Sequence, residues 1–221
     1  MNYANPNMNT FKVVRMAKRG DKTPAEFRQE WLERNRELKR AANRVVASVA
    51  TGEVALGGQE PPFDGMAAIY YSNADAARAV LGDDAKKIEV LCDEFLMSEK
   101  LDADKLLKPA GQLKIVRTVY RRKDLTHAQF KDYWLKNHSK LEKRVIAESP
   151  VQRIVATFAV PPEPGGNEPA FDGMVELYFA SVEDIRAMFA GPIPAMMRKD
   201  EENFVQMDAP AVRLVAEEFV L

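Results

Sequence analysis

The sequence predicts an α+β fold, two ferredoxin-like βαββαβ repeats packed sheet to sheet with four helices outside. Three observations carry this. Arg19–Leu38 (RGDKTPAEFRQEWLERNREL) and Arg122–Leu141 (RKDLTHAQFKDYWLKNHSKL) agree at 8 of 20 positions, at a constant offset of 103. Gly57–Met66 (GGQEPPFDGM) and Gly165–Met174 (GGNEPAFDGM) agree at 8 of 10, at an offset of 108. Two collinear blocks mark an internal duplication. Within each copy, strand and helix signals then alternate in the same order.

The first strands are the apolar-rich stretches Phe11 to Met16 and Leu113 to Tyr120. Helix starts follow at Thr23 with Glu26 and Thr126 with Gln129, the spacing of a capping box, and Pro24 suits the first helical position. An apolar stripe at Phe130, Trp134, Leu141 and Val145, repeated as Phe27, Trp31, Leu38 and Val45, gives each helix one buried face. Second strands are expected over Val45 to Thr51 and Val151 to Val160. The Gly-Gly and Asp-Gly pairs mark connections, and third strands run Met66 to Tyr71 and Met174 to Phe179. Second helices are expected over Asn73 to Met97 and Val182 to Phe204, the latter interrupted near Gly191-Pro192-Ile193-Pro194. Last strands are expected over Lys105 to Leu107 and Val212 to Val220.

The growth in offset from 103 to 108 predicts a five-residue insertion at the loop Pro161-Pro162-Glu163-Pro164, where added length costs little. One βαββαβ unit leaves a sheet face bare, and a second copy in the same chain can cover it. The halves are residues 1–110 and 111–221, joined near Lys108-Pro109-Ala110-Gly111.

Composition narrows the function. With 32 Lys+Arg against 33 Asp+Glu, the 221-residue chain lacks the basic excess of a protein that grips phosphate backbones. Two histidines and one cysteine leave little for a zinc site. No apolar run approaches membrane-spanning length, and the N-terminal residues do not read as a leader. A lone cysteine, Cys92, suits a reducing compartment, so the cytoplasm is expected. Neither copy holds a phosphate-binding G-x-G-x-x-G or G-K-[ST] motif.

The string Phe130-Lys131-Asp132-Tyr133-Trp134-Leu135-Lys136-Asn137-His138, followed downstream by Phe171-Asp172-Gly173-Met174-Val175-Glu176-Leu177-Tyr178-Phe179, resembles the EthD-type family of the dimeric α+β barrel group. The resemblance extends over both halves and implies an intramolecular dimeric α+β barrel with a pocket between helix and sheet, where the motif histidine acts. The first half departs from the pattern, because Asn35 stands where His138 stands in the second. Its site is expected to be degenerate.

His138 falls on the apolar stripe, four residues after Trp134, so it reads either as a general acid/base in a partly dry pocket or as a core histidine satisfied by a backbone carbonyl. Glu176 alternates with Val175 and Leu177 on the third strand, and is a candidate partner for His138 or a second acid/base; which face it takes is not readable. Trp134 reads as core or pocket wall, and Tyr133 as a half-exposed neighbour. Tyr178 and Phe171 complete the candidate substrate-binding set. Asp64 and Asp172, present in both F-D-G elements, read as turn aspartates capping their own backbone. His127 is expected to be exposed and Cys92 buried and inert.

The leading expectation is therefore a lyase-, isomerase- or cyclase-type enzyme. It takes a small apolar, aromatic or carbonyl-bearing metabolite in the C-terminal half and uses His138 without metal or organic cofactor. The alternatives are a cofactor-free monooxygenase and a non-catalytic haem- or small-ligand-binding protein. Partners are expected to be a small-molecule substrate, with no nucleic acid and no membrane, in a monomeric pseudo-dimer or a homodimer.

Overall fold

The computed structural model describes residues 11–52, 62–82, 88–103 and 110–221. In chain order the elements are β1 (Phe11–Ala17), α1 (Pro24–Leu38), β2 (Arg44–Ala50), β3 (Gly65–Tyr71), α2 (Ala74–Arg78), β4 (Ile88–Glu99), β5 (Ala110–Val119), α3 (His127–Tyr133), a π-helical turn (Trp134–His138), α4 (Ser139–Glu148), β6 (Arg153–Ala159), β7 (Gly173–Phe179), α5 (Val182–Ala190), α6 (Ile193–Glu201) and β8 (Arg213–Val220). Both capping boxes form. Thr23 accepts from Glu26 N while Glu26 accepts from Thr23 N, and Thr126 and Gln129 do the same.

The strands close into one antiparallel barrel of order β1-β3-β2-β8-β5-β7-β6-β4. This corrects the predicted two ferredoxin-like βαββαβ repeats packed sheet to sheet. The overturning feature is the pair of seams. β4 is hydrogen-bonded to β6 from Cys92↔Ala159 to Glu99↔Arg153, and β2 to β8 from Val46↔Val220 to Ala50↔Ala216. Backbone ladders join the halves edge to edge, which satisfies four edge strands that two stacked sheets would leave unpaired.

Side chains then divide by strand alternation. One set, including Val14, Met16, Met66, Cys92, Val116, Phe171, Met174 and Leu214, fills the barrel interior. The other points outward under the helices, where Phe130, Trp134, Phe158, Ile185 and Phe204 form the second half's largest cluster. Cys92 is buried in the barrel interior, and burial pushes its thiol up, so it stays protonated.

Several expected boundaries move. The helix expected over Asn73 to Met97 shrinks to α2, and Ile88–Glu99 is strand β4, in which Val90 and Cys92 face the interior while Leu91 joins the outer cluster. The expected strand Lys105 to Leu107 and the Gly57-Gly58 turn lie outside the described residues. Val45 belongs to β2, paired with Ile69, and not to α1. The insertion also moves. Ile154 pairs with Leu177 as Val45 pairs with Ile69, so the second strands stand 109 apart, against 103 at the helix starts. Six residues are thus added within the second half's first helix, ahead of the Pro-rich loop.

The F-D-G elements have a packing origin. Asp64 accepts from Arg19 N and Asp172 from Arg121 N, each at 2.9 Å, so they tie down the strand-to-helix loop and do not cap their own turn. A Cβ on Gly173 would meet Phe130 and Trp134 at 2.9 Å, and one on Gly65 would meet Phe27 and Trp31 at the same distance. Gly173→Ala is therefore expected to cost about 1–3 kcal/mol, read by urea unfolding, because the aromatic pair must leave its rotamers.

Candidate active site

A cavity of about 670 Å³ lies between the outer face of β5, β7, β6 and β8 and the helices of the second half. Ile115, Val119, Ile154, Val175, Leu177, Ile185 and Met188 give it apolar walls, and Trp134, His138, Glu142, Arg117 and Glu201 reach it with polar groups. Of the sequence-predicted residues, His138 and Trp134 line it. Tyr133 stands beside it, stacked on Phe204 at 5.0 Å with its hydroxyl donating to Asp200 at 3.1 Å.

The helix is shaped for this. Between Trp134 and His138 it opens into a π turn, and the Ser139 N–H reaches back to Trp134 O. The wider turn advances the buried face by about one residue. Glu142 then follows His138 on that face, with 2% exposure, and Leu141 is only half-buried.

His138 is 3% exposed. Its Nδ1 lies 2.7 Å from Asp200 Oδ2, and the carboxylate, as acceptor, sets the tautomer with the proton on Nδ1 and the lone pair on Nε2. Burial pulls the imidazole below its ordinary 6.5, against the upward influence of Asp200. Glu142 moves the opposite way. Burial pushes its carboxyl up to about 7, although Trp134 Nε1 donates to its Oε1 at 3.3 Å, and its Oε2 has no hydrogen-bond partner among the described residues.

Arg117 Nη1 binds Glu201 Oε1 at 2.6 Å across the cavity, yet Arg117 Nε and Glu201 Oε2 are buried without hydrogen-bond partners among the described residues. Three of the unpartnered buried atoms thus cluster at one cavity, an arrangement that a bound molecule can complete.

Glu176, Tyr178 and Phe171 are elsewhere. Their side chains face the barrel interior, so the expected pairing of Glu176 with His138 is corrected: strand alternation sends it through the opposite face. Glu176 accepts from Lys12 at 2.7 Å and Lys114 at 2.5 Å; Lys12 also binds Glu94 at 2.5 Å and Thr157 at 3.1 Å, and Lys114 binds Glu218 at 2.6 Å. Tyr70 donates to Glu94 and Tyr178 to Glu218. Burial works against the charge on Glu176, but Lys114 and Lys12 outweigh it and hold the carboxyl well below the usual range. The network is nearly two-fold symmetric, with Ala68 opposite Val14 as Glu176 is opposite Val116.

His127 is half-buried, not exposed, with Nε2 at 3.1 Å from Asp172 and 3.2 Å from Glu168. These three could group around a cation. The Arg121 guanidinium already binds Asp172 at 2.9 Å and Glu168 at 3.4 Å, which supplies the positive charge that a metal would bring.

Sequence reasoning missed Glu142, Asp200, Glu201, Arg117, Arg198 and Arg213. Most share one signal, the unequal length of the copies. Equivalent third strands are 108 apart, but Glu89 and Arg213, which pair with Arg15 and Arg117, are 124 apart. Sixteen added residues build α6 and its flanks, carrying Arg198, Asp200 and Glu201 to the cavity. The six added within the first helix extend α4 beneath Glu142.

Among solved structures, an anthrone oxidase-like protein shares the fold, with a TM-score of 0.65 at 8% identity over 99% of this chain and 93% of that one. A putative monooxygenase from Lactobacillus acidophilus NCFM superposes with a TM-score of 0.49 at 11% identity, over 96% and 98% of the two chains. No curated protein matches the sequence. Among the described residues no helix is long and apolar enough to cross a membrane. The EthD domain model matches residues 122–208, from the strand-to-helix loop through α6. The second half, which holds the cavity, is thus similar to EthD domains over this span.

Proposed function

We propose that the protein is a small-molecule enzyme that moves protons on an apolar, ring-sized, carbonyl-bearing substrate, in the manner of a lyase, isomerase or cyclase. The observation that carries this is one cavity wall holding two titratable groups a helical turn apart, whose environments displace them in opposite directions. His138 Nε2 is the base and removes a proton from an acidic C–H. Asp200 keeps the tautomer and stabilises the imidazolium as it forms. Glu142, protonated below about 7, returns a proton to the developing enolate. The apolar walls exclude water, which strengthens both interactions.

The sign of the pH dependence follows. The base is active once His138 has lost its proton, at a pH below 6.5, and the acid fails as Glu142 ionises near 7, so the profile is a bell between those values. The test is solvent deuterium exchange into 2-tetralone, followed by proton NMR. Wild-type protein is expected to accelerate exchange with this bell, and Glu142→Gln to abolish its alkaline limb. Exchange at the buffer rate overturns the reading.

Cofactor-free oxygenation shares the first step, since an enolate or phenolate left by His138 can react with dioxygen. The likeness in fold to an anthrone oxidase-like protein supports keeping it. Oxygen uptake in the presence of anthrone separates the two. Haem addition followed at the Soret wavelength tests the non-catalytic alternative.

A further inference from the structure

The halves differ in one cross-strand pair whose change the fold does not require. On the outer face, Arg15 of β1 lies opposite Glu89 of β4, Nε to Oε1 at 2.6 Å. At the equivalent place Arg117 of β5 lies opposite Arg213 of β8. Like charges directly opposite on neighbouring strands repel. Residues inserted in this half add Arg198 to the same cavity. Glu201 answers Arg117 through Oε1 alone, and neither Arg198 nor Arg213 has an ion-pair partner among the described residues. Burial, with repulsion from Arg117 and Arg198, holds the Arg213 guanidinium below its ordinary range. Three guanidinium groups from two strands and a helix thus line the cavity close to one another, and Glu201 pairs with one of them.

We propose that this arginine end of the cavity is a carboxylate subsite, so that the substrate is an organic acid with an apolar ring body and one carboxylate. The inference rests on the reading that this cavity binds the substrate, and adds its charge. Arginine forks match a carboxylate through paired N–H donors. Arg198 and Arg213 are exposed, whereas His138 and Glu142 are buried. An acid anchored at the arginines therefore sends its apolar body inward, toward the base and acid.

The experiment compares binding of 2-naphthoate and its neutral methyl ester by titration calorimetry. Wild-type protein is expected to prefer the acid by about tenfold or more, the scale of a charge-assisted hydrogen bond. Arg213→Glu, which recreates the Arg15–Glu89 arrangement, is expected to erase the preference without lowering the melting temperature; Arg198→Ala, on an exposed helix surface, is expected to reduce it. Equal wild-type affinity for acid and ester, or a preference that survives Arg213→Glu, overturns the proposal. Failure here is distinct from failure of the acid/base reading, because 2-tetralone carries no carboxylate and its exchange does not call on Arg213.

Discussion

His138→Asn is expected to leave the barrel folded and to cut turnover by about two to four orders of magnitude, the usual worth of a positioned general base. The chain contains its own control. Asn35 stands at the equivalent place, 1% exposed, and donates Nδ2 to Trp31 O at 2.7 Å. The fold thus accommodates a buried asparagine at this helical position, although Oδ1 of Asn35 has no hydrogen-bond partner among the described residues, and the variant removes the ring lone pair while keeping a side chain that can donate. Deuterium exchange into 2-tetralone reads the rate, and thermal unfolding reads the fold. A stable variant that exchanges at the wild-type rate would show that the His138–Asp200 pair is structural.

Glu176→Ala is expected to act on stability, at about 3–5 kcal/mol, the cost of removing one partner from a buried ion cluster. Lys12 and Lys114 are 1% and 0% exposed, and each keeps a second carboxylate, but they lose the group that lies between them. Urea unfolding measures the loss. The pH dependence has a definite sign. A carboxyl held well below its ordinary value contributes stability that is complete above the unfolded value of 4.5 and is lost as the pH falls toward the folded value. Glu176→Gln is accordingly expected to flatten the acid side of the stability profile. Because this cluster faces the barrel interior, the bell-shaped exchange profile is expected to survive in whatever protein remains folded.

Much of the scaffold was legible because it rests on short-range rules. Capping boxes announce both first helices, and the aromatic pairs on Gly65 and Gly173 explain why the same F-D-G string recurs. The elements that failed depend on distant partners. Ile88–Glu99 reads as a continuation of helix by its Glu and Leu content, yet alternation and pairing with β1 and β6 make it a strand. Glu142 was hidden because a π turn shifts helical phase, and spacing from Trp134 alone pointed to Leu141. Asp200, Glu201 and Arg198 sit in an insertion, and comparing repeats draws the eye to what they share. Glu176 was visible as an oddity on its strand, but its purpose depends on two lysines from opposite halves meeting inside the barrel.

Circular closure also governs how this molecule can meet others. Each of the eight strands among the described residues already has a neighbour on both sides, so this barrel offers no free edge for adding a foreign strand. Any self-association of the folded chain must then run through side chains, for which the half-exposed ring of Phe189 is one available foothold. Separating the two halves would reverse this, since each fragment would present two unsatisfied borders and seek its counterpart.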